Sequence, residues 1–237
     1  MRADGAMRVE VRHKAFGGTQ ILDWIDMAFD EGEIVVLTGP SGIGKTTLLR
    51  IIAGLDENFD GSVMHPGRIA MVFQSPTLLP WRSAADNLTL TTGADGATVA
   101  RLLEEVGLEG KAELFPGQLS LGQQRRLALA RALAAEPTTL LMDEPFISLD
   151  EETAARMRRL TLQVLKDRRI ATLIVTHDLV EAATFADRVV MLAGRPASIA
   201  TVVPIPTARD QRDAVREAEA LRAMLPNDTA SPHGNLT

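Results

Sequence analysis

The chain begins with two segments in which apolar and polar residues alternate. Residues 7–11 and 25–30 place an apolar side chain at every second position. This period of two is typical of half-buried strands. We therefore expect a small antiparallel β layer near the start of the fold.

Further along, apolar residues come in short continuous runs. Such runs suit strands that are buried on both faces, as in a parallel sheet with helices on either side. They occupy residues 34–37, 69–73, 140–142, 171–175 and 189–192. Stretches with helical periodicity lie between them, at residues 45–53, 97–106, 121–135, 151–166 and 179–186. The pattern predicts an α/β fold built on a mainly parallel sheet.

One long stretch interrupts this alternation. Residues 83–137 contain no buried-strand run, so we expect an inserted α-helical subdomain within a core made of residues 1–82 and 138–207. Residues 208–237 are predicted to form a helix over 208–225, followed by a polar tail.

Composition narrows the class of protein. The 237 residues suit one compact domain with a subdomain. The 25 Lys and Arg against 31 Asp and Glu give a net charge of −6, which argues against a nucleic-acid partner. The absence of Cys excludes disulfides, thiolate metal sites and a Cys nucleophile. No apolar run approaches the ~18 residues of a membrane span, and residues 1–12 lack the apolar stretch of a secretory signal.

A glycine-rich loop follows the apolar run at residues 34–37. Its backbone N–H groups are expected to point at a phosphate, with the positive end of a helix dipole behind them. Lys45 is suited to reach phosphate oxygens, and the Thr46 hydroxyl to bind Mg²⁺. A glycine-rich turn without a ligand is the alternative, but the strand before the loop and the helix after it favour phosphate binding. The loop consists of Gly39, Pro40, Ser41, Gly42, Ile43, Gly44, Lys45, Thr46 and Thr47.

Two adjacent acids, Asp143 and Glu144, end the run at residues 140–142. Because side chains alternate along a strand, the two carboxylates point in different directions. Asp143 is assigned to Mg²⁺, through a water, and Glu144 to the γ-phosphate side as general base or water-orienting group. An ordinary acidic turn is the alternative, but a phosphate loop requires a metal-holding carboxylate on a neighbouring strand.

Polar residues end two further runs in the same way. His177 follows the run at 171–175, and Gln74 follows the run at 69–73. Ligands of open α/β sheets bind at the carboxyl ends of the strands. His177 is therefore a candidate γ-phosphate contact, although a structural role is as well supported. The Gln74 amide could bind Mg²⁺ or hold the attacking water.

A second helix begins with residues that are suited to an anion. Ser120 and Gln123 fit a capping box, so a well-capped helix is one interpretation. A free helix start that carries Ser and Gly is also an anion site, which would serve another copy of the protein. The segment consists of Leu119, Ser120, Leu121, Gly122 and Gln123.

Taken together, these motifs resemble the ATP-binding subunit of an ABC transporter, with a P-loop NTPase (RecA-like) core, over about residues 8–212. The resemblance implies ATP and Mg²⁺ as ligands and a dimer in which each ATP lies between the P-loop of one copy and the signature motif of the other. Phe16 stands at the adenine-stacking position, and Ser148, Leu149 and Asp150 form the D-loop. Gln74, residues 119–123, residues 140–144 and His177 correspond to the Q-loop, signature motif, Walker B motif and switch histidine.

The signature motif departs from the family pattern at two places. Leu121 stands where the family usually has Gly, which could alter dimer closure or rate. Gln124 and Arg125 occur in the order opposite to the commonest one.

A Pro-bounded loop narrows the resemblance to the nitrate, sulfonate and taurine importers. Leu78, Leu79 and Trp81 in this loop would not face water without a partner. The resemblance implies that a membrane permease subunit docks there, at the cytoplasmic face of the inner membrane, with a periplasmic-type solute-binding protein on the other side. The alternative is that Trp81 packs under its own loop.

Two other classes of protein contain related motifs. A soluble ABC-type switch usually has two cassettes, a long coiled coil or basic surfaces, none of which this sequence shows. A P-loop small-molecule kinase would need a lid with Arg residues in place of the segment at 119–123. The transporter ATPase is therefore the preferred interpretation.

Overall fold

The structure is a computed structural model, and it describes residues 7–225. The predicted polar tail, residues 226–237, and the first six residues lie outside the described part. Two sheets and the helices around them make up the fold. The strands are β1 (Met7–Phe16), β2 (Thr19–Phe29), β3 (Ile34–Thr38), β4 (Asp60–Met64), β5 (Ile69–Val72), β6 (Thr139–Asp143), β7 (Ala171–Val175), β8 (Arg188–Ala193) and β9 (Ser198–Pro204). The α-helices are α1 (Lys45–Ile52), α2 (Ala84–Thr92), α3 (Gly96–Glu105), α4 (Leu121–Ala134), α5 (Glu151–Arg168), α6 (Leu179–Phe185) and α7 (Ala214–Met224).

The predicted antiparallel layer is a three-stranded sheet in the order β2-β1-β4. Val9 lies opposite Met27 in β2 and Val63 in β4. The apolar positions of β1 and β2 share one buried face, as period-two alternation requires. Strand β4, which the sequence pattern did not predict, has no fully buried residue.

The larger sheet has six strands in the order β5-β6-β7-β3-β8-β9. All its neighbours are parallel except β8 and β9, which pair antiparallel. Every residue of β3, β6 and β7 is buried, because both faces of the sheet are covered. This burial explains why these strands read as continuous apolar runs.

The two faces of the large sheet belong to two apolar clusters. Val35, Leu37 and Leu141 pack with α1 and the antiparallel sheet. Val36 and Leu140 face the opposite side, where helices α2 to α7 pack. Alternation along each strand sends neighbouring residues into different clusters.

Between β5 and β6 the described chain contains α2, α3, a short 3₁₀ helix (Pro116–Gln118) and α4, and no strand. The helical insertion is therefore present, while its limits at residues 83 and 137 stay a prediction. Ser83 is the N-cap of α2, because its hydroxyl accepts a hydrogen bond from the Asp86 N–H.

The predicted start of the C-terminal helix, at residue 208, was wrong. A 3₁₀ turn (Arg209–Gln211) precedes α7, which begins at Ala214. The Asp213 carboxylate accepts hydrogen bonds from the N–H groups of Val215 and Arg216, and this N-cap sets the first turn. None of the helices in residues 7–225 combines the length and the apolar character that a bilayer crossing requires.

Candidate functional site

The carboxyl ends of β3, β5, β6 and β7 meet at one edge of the large sheet. A cleft of about 420 Å³ opens there. It gathers predicted site residues from five separate parts of the chain, at the place where open α/β sheets bind their ligands. These are Phe16, Ser41, Gly42, Gly44, Lys45, Thr46, Thr47, Gln74, Asp143, Glu144 and His177.

A larger cavity, of about 850 Å³, lies at the amino ends of β3 and β8. Glu33, Lys166 and Arg209 are among the residues that line it. We take the smaller cleft as the functional site, because the glycine-rich loop, the start of α1 and the strand-end carboxylates converge there and not at the larger cavity.

The glycine-rich loop depends on the absence of two side chains. Gly39 has φ +142°, and a Cβ atom there would lie 2.5 Å from the carbonyl oxygen of Leu192. Gly44, the N-cap of α1, has φ +115°, and its Cβ would lie 2.7 Å from a methyl group of Leu22. The loop is therefore packed between β2 and β8, with the N-terminus of α1 directed into the cleft.

Lys45, the first residue of α1, is 8% exposed. Its Nζ donates to the carbonyl oxygens of Gly39 at 2.7 Å and Pro40 at 2.9 Å. The ammonium group is thus held across the mouth of the loop.

Thr46 and Asp143 form the oxygen-rich part of the cleft. The Thr46 hydroxyl donates to Asp143 Oδ2 at 3.0 Å. Burial raises the pKa of the Asp143 carboxyl group, and the nearby Glu144 charge adds to this rise, while the Thr46 hydrogen bond opposes it. A buried carboxylate beside a hydroxyl is suited to a hard cation, which would remove this electrostatic cost.

Glu144 and His177 are in direct contact. His177 Nδ1 lies 2.9 and 3.0 Å from the two Glu144 carboxylate oxygens. Since an ionised carboxylate only accepts hydrogen bonds, Nδ1 carries the proton. This hydrogen bond raises the pKa of His177. The pair therefore favours a positively charged imidazole whose Nε2–H is free to donate.

The aromatic residue Phe16 lies at the edge of the cleft and is 53% exposed. The Nζ of Lys14 lies 4.4 Å from the centre of its ring. Lys14 is 1% exposed and is itself held by Asp56 at 2.6 Å and the carbonyl of Asn58 at 2.7 Å. Sequence reasoning missed Lys14, because period-two alternation places it on the polar face with Arg8 and Arg12. A register shift between Val11 and His13 turns its side chain inward, and no local pattern shows this shift.

The signature segment lies away from the cleft of its own chain. Ser120 and Gln123 form the predicted capping box: the Gln123 N–H donates to the Ser120 hydroxyl at 3.3 Å and the Ser120 N–H to the Gln123 amide oxygen at 2.9 Å. Leu119 is buried in the core, whereas Leu121 is 40% exposed. A Cβ atom on Gly122 would lie 2.6 Å from a methyl group of Thr153 in α5, so this glycine lets the two helices approach.

The remaining predicted residues occupy two loops. Ser148, Leu149 and Asp150 precede α5, and Asp150 caps this helix by accepting from the Thr153 N–H at 3.0 Å. In the Pro-bounded loop, Trp81 is 69% exposed, whereas Leu78 is partly buried against the core. The alternative in which Trp81 packs under its own loop does not agree with this exposure.

Glu181 in α6 is a second residue that sequence reasoning missed. It is 7% exposed and accepts a hydrogen bond from the Thr176 hydroxyl at 2.6 Å. Burial, its largest cause, raises the pKa of Glu181 to about 7. A glutamate one helical turn after His177, among apolar neighbours, was the available signal.

This shift predicts a pH-dependent effect of Glu181→Gln. The folded pKa lies above the unfolded value near 4.5, so the neutral carboxyl group supports folding at low pH, and this support is lost as pH rises through about 7. Relative to wild type, the variant should gain ~2 kcal/mol in free energy of unfolding between pH 5 and pH 8. Urea unfolding at both pH values measures this, with exposed Glu104→Gln as control. The prediction is wrong if the difference in free energy of unfolding between variant and wild type is the same at pH 5 and pH 8.

The fold and the site together define the class of protein: the chain belongs to the ABC transporter family and is an ATP-binding subunit. Residues 22–147 match the ABC transporter family. The chain is 45% identical over 215 residues to the aliphatic sulfonates import ATP-binding protein SsuB 1 of Pseudomonas syringae pv. syringae (strain B728a), covering 89% of this chain and 91% of that protein. It is 46% identical over 207 residues to the corresponding protein of Mycobacterium sp. (strain MCS), covering 84% of each.

A solved structure agrees with this assignment. It is a dimeric, post-hydrolysis ATP-binding cassette bound to ADP and Pi, with a TM-score of 0.74 and 27% identity over 85% of this chain and 100% of that chain. The predicted P-loop NTPase fold and ABC transporter ATPase activity are thereby confirmed. None of these relatives supports the soluble switch.

Proposed function

We propose that this chain hydrolyses ATP to power import of an aliphatic sulfonate or a related small organic anion through partner membrane subunits. The observation that carries the proposal is the convergence of the P-loop, Asp143, Glu144 and His177 on one cleft, in a chain 45% identical to a sulfonate import ATP-binding protein.

In this proposal the cleft binds ATP from three sides. The exposed Phe16 ring stacks on the adenine. The backbone N–H groups of residues 39–47 and the start of α1 bind the phosphates. Lys45 exchanges its two carbonyl partners for β- and γ-phosphate oxygens.

Thr46, Asp143 and Gln74 are the residues that would hold Mg²⁺, Asp143 through a water. Their donors are a hydroxyl, a carboxylate and an amide oxygen, as this cation prefers. Residues 7–225 contain no cluster of three or more His, Cys, Asp or Glu for a metal. The three donors of Thr46, Asp143 and Gln74 suit an ion that keeps some of its waters and is also bound by the phosphates of the substrate. When bound, Mg²⁺ neutralises charge on the phosphate oxygens.

Glu144 acts as general base in this proposal. Its carboxylate borders the cleft and has 17% of its surface exposed, so it can take the proton of a water placed against the γ-phosphate. His177 orients Glu144 through Nδ1, while Nε2–H donates to the γ-phosphate. Gln74, at the end of β5, helps to hold the water.

A second copy completes the site. Ser120, Leu121, Gly122 and Gln123 lie outside the cleft of their own chain, and Ser120 and Leu121 are exposed. We propose that this helix start binds the γ-phosphate in the other copy, with residues 148–150 adjoining it. The mate is an identical chain or a paired ATPase subunit, and nucleic acid is not a partner.

We propose that the Trp81 loop is the docking site for a membrane permease. An exposed tryptophan beside half-buried leucines is an anchor that would insert into a groove of the partner. This contact would place the chain at the cytoplasmic face of the inner membrane, with a periplasmic-type solute-binding protein delivering the substrate on the other side.

Uptake of a labelled short alkanesulfonate tests the substrate class and the docking site. Cells that lack the chromosomal copy should lose uptake, and the wild-type chain should restore it. Trp81→Ala should not, because permease affinity falls ~10-fold or more when a buried aromatic anchor is lost. The purified variant should keep its basal ATPase rate.

Trp24→Ala is the matched control, because Trp24 is 63% exposed but lies on the antiparallel sheet. Alkanesulfonate uptake that persists without the chain would contradict the substrate class. Normal uptake and permease co-purification with Trp81→Ala would contradict the docking site.

A further inference from the structure

Arg125 is the residue of the signature region that the proposed ATP contacts leave unexplained. Its neighbour Gln124 has a local role, because the Gln124 amide donates to the carbonyl oxygens of Pro116 and Leu119, each at 3.0 Å. Arg125 is 6% exposed although it is charged. A buried charge on a helix is expensive unless it is hydrogen-bonded, so its partners indicate its role.

The Arg125 guanidinium binds the loop that follows Asp143. Nη1 donates to the carbonyl oxygen of Pro145 at 2.5 Å and, at 3.4 Å, to that of Glu144. Nη2 donates to the carbonyl oxygen of Ile147 at 2.5 Å. A planar guanidinium suits this arrangement because its N–H groups point in fixed directions. One side chain of α4 thus contacts three carbonyl groups of one short loop.

The same loop contains two residues in the left-handed region of φ. Glu144 has φ +46° and Ser148 has φ +61°. For residues other than glycine this conformation costs about 1–3 kcal/mol and persists only where the surroundings impose it. The Glu144 N–H donates to the carbonyl oxygen of Val175 at 2.9 Å. The backbone of Glu144 is therefore held from β7 on one side and by Arg125 on the other.

When it is ionised, Glu181 provides the opposite charge in this region. Burial lowers the pKa of Arg125, and the negative charge of Glu181 opposes this effect. Glu181 accepts from Thr176, the residue before His177, and lies 3.9 Å from Arg158 of α5. The buried charges therefore connect α4, α5 and α6 around the loop that carries Glu144.

We propose that Arg125 is a positioning residue for ATP hydrolysis, which holds the loop after Asp143 so that the Glu144 carboxylate meets His177 and the cleft. The proposal rests on the proposed role of Glu144 as general base. Arg125 is not among the described residues that line the cleft, so it acts through Glu144 and not on ATP. Arg125 also connects α4, the helix that begins in the signature motif, to the loop of Glu144 in the same chain.

Arg125→Gln tests this role, since the shorter amide cannot reach three carbonyl groups. We expect kcat to fall ~10- to 100-fold, because small misplacements of a reacting group have effects of this size. The Kd for ATP should stay within about twofold, since the P-loop contacts are unchanged. Arg125→Lys, which keeps the charge but not the fork, should be intermediate and serves if the glutamine variant does not fold.

Arg126→Gln is a matched control. Arg126 is the next residue of α4, and its guanidinium donates to the carbonyl oxygens of Val106 and Gly107 at 3.2 and 2.9 Å. The Arg126→Gln variant therefore loses comparable hydrogen bonds outside the Glu144 loop, and its kcat should stay near that of wild type. If both variants lose stability and kcat to the same extent, Arg125 is merely structural and the proposal is wrong.

Single-turnover hydrolysis of labelled ATP in a Glu144→Gln background separates the two proposals. Because Arg125 acts through Glu144, adding Arg125→Gln should change the residual rate less than about twofold. If Arg125→Gln lowers the hydrolysis rate as much in the Glu144→Gln background as it does in the wild type, the positioning role is wrong. Normal hydrolysis by Glu144→Gln alone would instead refute the base role, whereas a slow Glu144→Gln with a normal Arg125→Gln would refute only the positioning role.

Discussion

Replacing Glu144 by glutamine is expected to slow ATP hydrolysis about 10²- to 10⁴-fold, the range typical of a lost general base. The amide has nearly the size of the carboxylate and still accepts a hydrogen bond from His177 Nδ1, so the loop should keep its shape. It cannot take a proton from water. ATP should bind with unchanged affinity, because Lys45, Thr46 and the glycine-rich loop are intact.

Such a variant should therefore accumulate as an ATP-bound dimer. Size-exclusion chromatography with Mg²⁺ and ATP measures the dimer, and phosphate release measures turnover. Glu152→Gln is the control, because Glu152 is an exposed carboxylate that pairs within α5 with Arg156. Near-normal hydrolysis by Glu144→Gln would remove Glu144 from the base role.

Lys45→Ala is expected to weaken ATP binding by ~10- to 100-fold. A hydrogen bond to a charged group contributes about 1.5–3 kcal/mol, and Lys45 is the ammonium group held at the mouth of the phosphate loop. Titration calorimetry with Mg²⁺-ATP measures the Kd, and hydrolysis should fall with it because phosphate charge in the transition state also loses its partner.

Lys166→Ala tests whether loss of any lysine has this effect. Lys166 is exposed near the end of α5 and lines the cavity at the amino ends of the strands, away from the cleft that contains Lys45. Its Kd for ATP should equal that of wild type. An unchanged Kd for Lys45→Ala would mean that the loop backbone alone binds the phosphates.

Local patterns in the sequence were sufficient for the elements that position the site. Strand β7 begins and ends as predicted, at Ala171 and Val175, because a strand buried on both faces has an uninterrupted apolar run. Helix α4 begins at Leu121 for an equally local reason, the capping box of Ser120 and Gln123. The glycines of the P-loop were equally readable, since positive φ angles require them.

Elements without a strong local signal were missed. Strand β4 is only half-buried, and β9 pairs at the edge of the sheet next to β8. Helix α2 was included in the helical insertion but not delimited. The start of α7 was predicted too early, at residue 208. Asp213 identifies the start of the helix only when the residues before it are known not to be α-helical, and the sequence pattern did not show this.

The sequence by itself determined the fold class, the order of the motifs and the residue types that meet at the cleft, because these depend on periodicity and spacing along the chain. Only the tertiary structure decided which charges are buried together: Lys14 under Phe16, His177 on Glu144, and Arg125 on the loop that carries Glu144. The His177 and Arg125 contacts join residues 19 or more positions apart, and the Lys14 ammonium group is held by Asp56, 42 positions along the chain. Their energies depend on burial and direction, which no local pattern encodes.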